Sequence, residues 1–378
     1  MDLYVQELHS STQPSIAILT MPDEKRPFRG NHYNFIDLIR CGKELGAFVY
    51  VITVNDVKLW ERKIKSYVYN PTTKTWSEIM LPLPDVIYNR IPTRKDELHP
   101  EVQQTVQSLL RHSHIRLFNP FFFNKWTLFE WLNKTKQTKR FIPATQRLTS
   151  QNDVELFLKH YSTVYLKPVR GKAGKGIMKI EAGSSKTKAS YRLIIQNFRK
   201  SHISVHTQIS KLWGVLKEQI GSEDYIIQQG IKLSSYQNRP FDLRVLVQKN
   251  GKGSWSLSGI GARVAGKLSI TTHVPRGGSI DEPDKLLSAT FGKETARSIL
   301  LKVKKAAYSI ARRIEKASGH TLGEMSMDLG IDTSGQIWFF EANSRPMKFD
   351  EPDIRKKSLE RIIQYSLYLS KTKKIVSG

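Results

Sequence analysis

The sequence predicts an α/β protein of more than one structural unit, and three observations carry that expectation. A strand, a helix and a second strand follow one another with short joins near the start, the signature of a βαβ unit and a parallel sheet. A strand ending in lysine runs into a loop with three glycines, and a late pair of strands carries acids beside an apolar run. The chain has 378 residues, and single cores rarely grow much beyond about 250–300 residues, so two or three units are expected.

The elements follow in order. Ser15 to Thr20 is a short apolar run suited to a buried strand, ended by Met21, Pro22 and Asp23. Phe35, Leu38, Ile39 and Leu45 recur at helical spacing, and Gly46 is the stop. Phe48 to Val54 supplies the second strand, a β-rich piece with a turn at Asn70-Pro71 follows from Ser66 to Ile79, and Val86 to Tyr88 reads as another strand. Glu97 to Arg111 reads as a helix. A second unit begins near Asn119, giving expected domains of 1–118 and 119–370. In it, Lys125 to Lys134 looks helical, and Thr163 to Pro168 and Gly176 to Glu181 look like strands. Tyr225 to Leu233, Phe241 to Gln248 and Trp255 to Val264 are further strand candidates. Glu294 to Ser318 is a long helix stopped by Gly319. Met327 to Ile331 and Gln336 to Glu341 form a hairpin, and Ser358 to Leu369 is a closing helix.

Composition narrows the class. At 39% hydrophobic and 25% charged residues, the chain reads as an ordinary globular protein. No stretch approaches the roughly 20 apolar residues of a membrane span, and the polar N-terminus lacks a signal pattern, so a cytoplasmic protein at synthesis is expected. Cys41 is the only cysteine, which excludes an intrachain disulfide and a thiolate metal cluster. It sits in an apolar-periodic segment and reads as a small core residue. The formal net charge of +26 draws polyanions. Of its local concentrations, Lys302 to Lys316 and Arg355 to Lys374, the first alternates with apolar residues at helical spacing and reads first as a solvated helix face. No nucleic-acid motif accompanies the charge, so no specific nucleic-acid partner is expected.

Three segments carry chemistry. In Met327-Asp-Leu-Gly-Ile-Asp332 and Ile337-Trp-Phe-Phe-Glu341-Ala-Asn343, Asp328 falls on one strand and Glu341 on its neighbour. Asn343 follows Glu341 by two, on the same face of a strand. Two carboxylates and an amide oxygen make a hard oxygen site suited to Mg²⁺. In Val164-Tyr-Leu-Lys167-Pro-Val-Arg-Gly171-Lys-Ala-Gly174-Lys-Gly176, glycines let backbone N–H groups close over phosphates while lysines supply charge. It is not a P-loop, because Ile177 stands where that motif has lysine. In Phe241-Asp242-Leu-Arg244, the acid and the arginine share a strand face, and an arginine held by that acid would make a rigid anion clamp. Arg263 ends a further apolar strand, and Thr272-His-Val-Pro-Arg276-Gly-Gly is a basic loop that could hold a second anion.

Taken in order, from about Phe118 to Asp350, these segments resemble the ATP-grasp superfamily. Within it, Asp85-Val-Ile-Tyr-Asn-Arg-Ile91, Phe241-Asp-Leu-Arg-Val-Leu-Val and Asp328-Leu-Gly-Ile-Asp are similar to the YheC/YheD group of endospore coat-associated proteins. The resemblance implies an ATP-grasp fold with α+β lobes and a small N-terminal α/β pre-ATP-grasp domain. It implies that Lys167 and Lys125 touch the phosphates, that Gly171, Lys172, Gly174, Lys175 and Gly176 form a lid, and that Gln228, Gln229 and Ile231 line the adenine. Arg244 and Arg263 would neutralise the γ-phosphate, and Asp328, Glu341 and Asn343 would hold Mg²⁺. Gln229 stands where many relatives carry glutamate, and Ser234 and Ser235 where an acid would meet the ribose. The implied activity is ATP-dependent joining of a carboxylate to an amine through an acyl phosphate, with a peptide or acidic polymer among the implied partners. Spore-coat proteins and the coat itself are the implied company and destination. A nucleotide-binding or structural protein without turnover, and a polyanion binder using the basic surface, are the alternatives.

Overall fold

The computed structural model describes residues 13–170, 175–183, 190–196, 201–267, 269–272 and 277–372. Its first sheet contains β1 (Ser15–Thr20), β2 (Phe48–Thr53), β3 (Lys63–Asn70), β4 (Thr75–Pro82), β5 (Val86–Asn89) and β6 (Arg116–Phe118), in the order β4-β3-β2-β1-β5-β6. β1 pairs in parallel with β2 and β5, and β5 with β6. Both faces are covered, which is why β1 and β2 read as nearly unbroken apolar runs. The helix His32–Glu44 covers one face through Phe35, Leu38 and Cys41. Burial pushes the Cys41 thiol up to about 11, as suits a core residue. The helix expected from Glu97 to Arg111 is two pieces, Arg94–Glu97 and Pro100–Arg111. Pro100 opens the second because it lacks the N–H an interior turn needs.

The second sheet is antiparallel: β7 (Thr145–Leu148), β8 (Thr163–Pro168), β9 (Met178–Gly183), β10 (Ser190–Gln196), β11 (Ser201–His206) and β12 (Tyr225–Gln229), ordered β11-β10-β9-β8-β12-β7. The strand expected to reach Leu233 stops at Gln229. Helices Gln151–His160 and Ile209–Ile220 pack on this sheet through Val154, Leu212 and Leu216.

The third sheet holds β13 (Ser235–Tyr236), β14 (Arg239–Lys249), β15 (Trp255–Val264), β16 (Ser279–Asp281), β17 (Glu324–Ile331) and β18 (Ile337–Asn343), ordered β16-β15-β14-β17-β18 with β13 on β14. The alternation of β14 divides its two faces. Phe241, Leu243, Val245 and Val247 join Met325, Met327, Leu329 and Phe339 in a core closed by the helix Lys293–Ser318, which Gly319 ends in a left-handed conformation. The other face carries Asp242, Arg244, Gln248, Glu324 and Asp328. The helix Pro352–Lys371 crosses from this sheet to the first one, where Ile362, Ile363, Tyr365 and Leu369 share a core with Val86, Tyr88 and Phe118.

Asn119 pins the joint between the sheets. Its φ is +54°, a left-handed conformation that asparagine adopts more readily than most residues. Its Oδ1 accepts from Gly323 N–H at 2.7 Å and Glu324 N–H at 3.3 Å, while Nδ2 donates to the carbonyls of Glu324 (2.8 Å) and Ser344. One buried side chain thus fixes the start of β17 and the end of β18.

Candidate active site

The polar face of the third sheet arranges charged side chains by register alone. Arg244 on β14 pairs directly with Asp328 on β17, and Asp328 with Glu341 on β18, so the three lie in one row across the sheet. Directly paired residues point to the same face. At the other end of the row Arg244 pairs with Gly261. A Cβ at Gly261 would come within 2.2 Å of Glu351 Oε1, so the glycine leaves room for that carboxylate. Asn343 pairs with Ser326, one step along the same face from Glu341. Ser326 Oγ is buried with no hydrogen-bond partner among the described residues.

Arg263 joins two of these carboxylates. Its Nε and Nη2 donate to Asp242 Oδ1 and Oδ2 at 3.0 and 2.7 Å, and Nη2 also lies 2.8 Å from Asp328 Oδ2. Thr272 Oγ1 donates to Asp242 Oδ2 at 2.6 Å. Burial works against the Arg263 charge, but the two carboxylates outweigh it and raise the guanidinium above its usual value. Here the structure corrects the sequence reading: the acid beside Arg244 in sequence, Asp242, holds Arg263 instead. The cause is register, since Asp242 lies directly opposite Arg263 on β15. Arg244 instead donates to Met347 O at 3.3 Å and lies 4.6 Å over the Phe349 ring. Burial and then neighbouring Arg263 lower its pKa, against the pull of Asp328, Glu351 and Asp350.

Two lysines face the row from other elements. Lys125, in the first turn of the helix Lys125–Asn133, places Nζ 2.9 Å from Glu341 Oε2. The helix is capped by Asn124, whose side chain accepts from Thr127 N–H, and this fixes where its first residue points. Lys167 on β8 donates to Gln228 Oε1 at 2.6 Å, and Gln228 Nε2 donates to Thr145 Oγ1 at 2.8 Å. The Lys167 ammonium also lies 5.3 Å over the Phe340 ring. Burial and the charge of Lys125 push Lys167 down to about 7, against Glu341, Asp328 and Asp242.

The remaining expected residues are placed as follows. Gln229 closes on Ala144: its N–H donates to Ala144 O at 2.8 Å and its Oε1 accepts from Ala144 N–H at 3.2 Å. Its N–H and side chain therefore fasten the segment before β7. Ile231 lies just past the end of β12, half-buried. Lys175 is exposed, and Gly176, at φ +75°, accepts from Tyr225 Oη at 3.0 Å through its carbonyl. Gly171, Lys172 and Gly174 lie outside the described residues, as do His273 and Arg276. Sequence reasoning put Thr272 in a basic anion loop and missed its bond to Asp242. It also missed Arg345, which donates to Glu97 Oε2 at 2.7 Å and which burial lowers to about 10 despite Glu97.

The donor set suits Mg²⁺. Asp328 and Glu341 are directly paired, Asn343 is two residues on, and every donor is oxygen. Mg²⁺ commonly takes one or two carboxylates and completes its shell with water and substrate phosphates. Among the described residues there is no group of three or more His, Cys, Asp or Glu that would make an all-protein cage. No described helix is long and apolar enough to cross a membrane.

Comparison with known proteins bears on the whole arrangement. Endospore coat-associated protein YheD of Bacillus subtilis is 30% identical over 353 residues, covering 92% of this chain and 76% of that protein. Endospore coat-associated protein YheC of the same organism is 23% identical over 313 residues, covering 82% and 84%. Among solved structures, D-alanyl-alanine synthetase A from Vibrio cholerae aligns over 95% of this chain and 99% of that one, with a TM-score of 0.51 at 14% identity. At that identity the likeness concerns the fold, which is ATP-grasp. The family described as YheC/D-like ATP-grasp matches residues 114–369, and with the fold and the relatives in agreement the chain belongs to the YheC/D-like ATP-grasp family.

Proposed function

We propose that the chain binds Mg·ATP between the second and third sheets and uses it to join a carboxylate to an amine. Residues 119–370 would form the nucleotide-binding domain and 1–118 the domain before it. The observation that carries this reading is the row Arg244–Asp328–Glu341, bordered by Arg263, Lys125 and Lys167. Phosphoryl transfer asks for positioning and charge neutralisation more than for a protein nucleophile. Asp328, Glu341 and Asn343 would hold Mg²⁺, which would supply Lewis-acid charge neutralisation to the phosphates. Lys167, fixed by Gln228, and Lys125, released from Glu341, would bind the phosphates, with Lys172, Lys175 and the glycines of the 171–176 loop closing over them. Backbone groups near Gln228, Gln229 and Ile231 would border the adenine.

The reaction follows from these roles. A substrate carboxylate oxygen attacks the γ-phosphorus, the bond to the β-γ bridging oxygen breaks, and ADP leaves with that electron pair. Arg244 and Arg263 would offset the charge on the transferred group. The amine nitrogen then attacks the acyl carbon, its proton passes to solvent, and phosphate leaves with the carbon–oxygen pair. The names of the relatives YheD and YheC connect those proteins with the endospore coat. We extend that setting to this chain, with a coat peptide or acidic polymer as the acceptor its basic surface suits.

The test is calorimetric binding of ATP with and without Mg²⁺, for the natural protein, Glu341→Gln and Lys167→Ala. Mg²⁺-dependent binding weakened by both changes supports the reading, and ADP release with added amino acids or peptides then identifies the acid. An absence of ATP binding would overturn it, while binding without ADP release under any acceptor would leave a nucleotide-binding coat protein.

A further inference from the structure

Two guanidinium groups share the ring of Phe122: Arg345 lies 4.2 Å from its centroid and Arg94 lies 5.3 Å from it. They are used differently. Arg345 is buried and donates to Ile91 O, Pro120 O and Glu97 Oε2. Glu97 in turn accepts from Phe122 N–H at 3.0 Å, which holds the backbone that carries the ring. Arg94 is half-buried, and among the described residues its guanidinium has no hydrogen-bond acceptor and no ion pair. Its backbone is nevertheless set firmly. Thr93 caps the short helix Arg94–Glu97 in a reciprocal capping box with Asp96, and Asp96 is held by Arg29 at 2.8 Å. A fixed guanidinium, stacked on a fixed ring and lacking an acceptor, is a pre-organised anion binder.

Its surroundings say where the anion would lie. Phe122 stands three residues before Lys125, which is paired with Glu341, and Arg345 stands two residues after Asn343. Arg94 is therefore at the metal-ligand end of β18. Burial lowers its pKa, Glu341 and Glu97 favour its charge, and Arg170 opposes it. Three cations, Lys125, Lys167 and Arg94, thus lie within electrostatic reach of Glu341, while Asp328 is matched by Arg263. A triphosphate would account for the two lysines. Arg94 enters from the segment after β5, in the first sheet, whereas Lys167 and Gln228 stand on the second. Arg94 thus comes from a different element than either lysine.

We propose that Arg94 binds the carboxylate of the acid substrate and holds it against the γ-phosphoryl group. The proposal rests on the function given above and deepens it: the first sheet then supplies substrate recognition, and the planar fork of arginine suits a carboxylate presented edge-on.

The experiment is a calorimetric titration of sulfate, as a stand-in oxyanion, at constant ionic strength. The natural protein and Arg94→Gln are each measured with and without saturating Mg²⁺ and the non-hydrolysable nucleotide AMPPNP. The expected result is one saturable sulfate site with the nucleotide bound, weakened roughly tenfold or more by Arg94→Gln, with nucleotide affinity and thermal unfolding unchanged. An unchanged sulfate affinity, or no saturable site in the natural protein, overturns the proposal. So does a matching loss of nucleotide affinity, which would make Arg94 a phosphate ligand of ATP. If AMPPNP fails to bind the natural protein, the ATP reading fails by itself. The nucleotide-free titration then still decides whether Arg94 holds an oxyanion.

Discussion

The Lys125 ammonium, at the start of a helix, lies 2.9 Å from Glu341 Oε2 on the strand β18, so a carboxylate suited to a metal ion is matched by a cation from a different element. At about 4 Å and an effective dielectric of 20, such a pair interacts by about 4 kcal/mol before solvent screening. On the proposed function, metal and lysine would compete for Glu341 until a triphosphate offered the lysine another partner. Lys125→Met is expected to strengthen Mn²⁺ binding without nucleotide by roughly tenfold, and to weaken ATP binding by a similar factor. Electron paramagnetic resonance of free Mn²⁺ measures the first and calorimetry the second. If Mn²⁺ affinity does not rise, the two cations do not share that carboxylate.

Lys167 makes the site sensitive to pH. Burial, and then the charge of Lys125, push its ammonium down to about 7 in the folded chain, from an ordinary 10.5. Below about pH 7 it is charged whether the chain is folded or unfolded, and burial makes that charge a net cost to stability. Between about 7 and 10.5 the unfolded chain binds the extra proton, so stability rises with pH across this window. Lys167→Met lacks this dependence. The variant should be more stable than the natural protein at pH 6, and its advantage should shrink toward pH 10. Urea unfolding at a series of pH values checks this. The same shift predicts that ATP, which favours the ammonium, binds with proton uptake above pH 7 and more weakly as pH rises. Lys167→Arg, which stays charged, should flatten that slope.

Arg263 is the electrostatic hub of the polar face. Its side chain is 9% exposed and it meets Asp242 and Asp328, themselves 5% and 8% exposed. Arg263→Met leaves two buried carboxylates without a cation, and such losses cost about 3–5 kcal/mol. Arg263→Lys keeps a charge but cannot reach both acids with the same geometry, so it should fall between. Urea denaturation separates the three proteins. A loss below about 1 kcal/mol for Arg263→Met would mean that water or rearrangement satisfies the acids.

The site was legible in sequence where its logic is local. The strand β1 at Ser15–Thr20, the strand β15 at Trp255–Val264 and the hairpin bearing Asp328 and Glu341 follow from apolar runs and turn residues. Asn343 shares a face with Glu341 because they differ by two. Pairings set by register across strands distant in sequence were not legible. Asp242 and Arg244 look like partners because they share a face, yet Asp242 meets Arg263, which only the β14–β15 register brings opposite. The helix Gln151–His160 carried a readable signal, the Ser150–Asp153 capping box, but its apolar stripe is short and only Val154 among its apolar residues is buried. Gln229 is set beside the adenine only by the family resemblance, and its bonds to Ala144 depend on a neighbouring segment that sequence does not reveal.

Asn119 offers the sharpest separation of backbone from side-chain effects. It is fully buried, has φ +54°, and its amide serves four backbone groups of Gly323, Glu324 and Ser344. Asn119→Gly keeps the conformation available but removes the amide, leaving those groups without it. At about 1 kcal/mol for each net bond, the loss should be about 3–5 kcal/mol. Asn119→Ala removes the same bonds and also forces a Cβ into the left-handed region, which adds about 1–2 kcal/mol. Alanine should therefore destabilise more than glycine, the reverse of their usual order in helices. Because Glu324 begins β17 and Ser344 follows β18, loosening either strand shifts Asp328 against Glu341. Both variants should then bind ATP more weakly, even at temperatures where they remain folded. Denaturant titration followed by calorimetry on the folded fraction tests the two parts separately. Equal stability of the alanine and glycine variants would show that the left-handed backbone carries no strain, and unchanged ATP affinity in both would show that the joint does not position the acids.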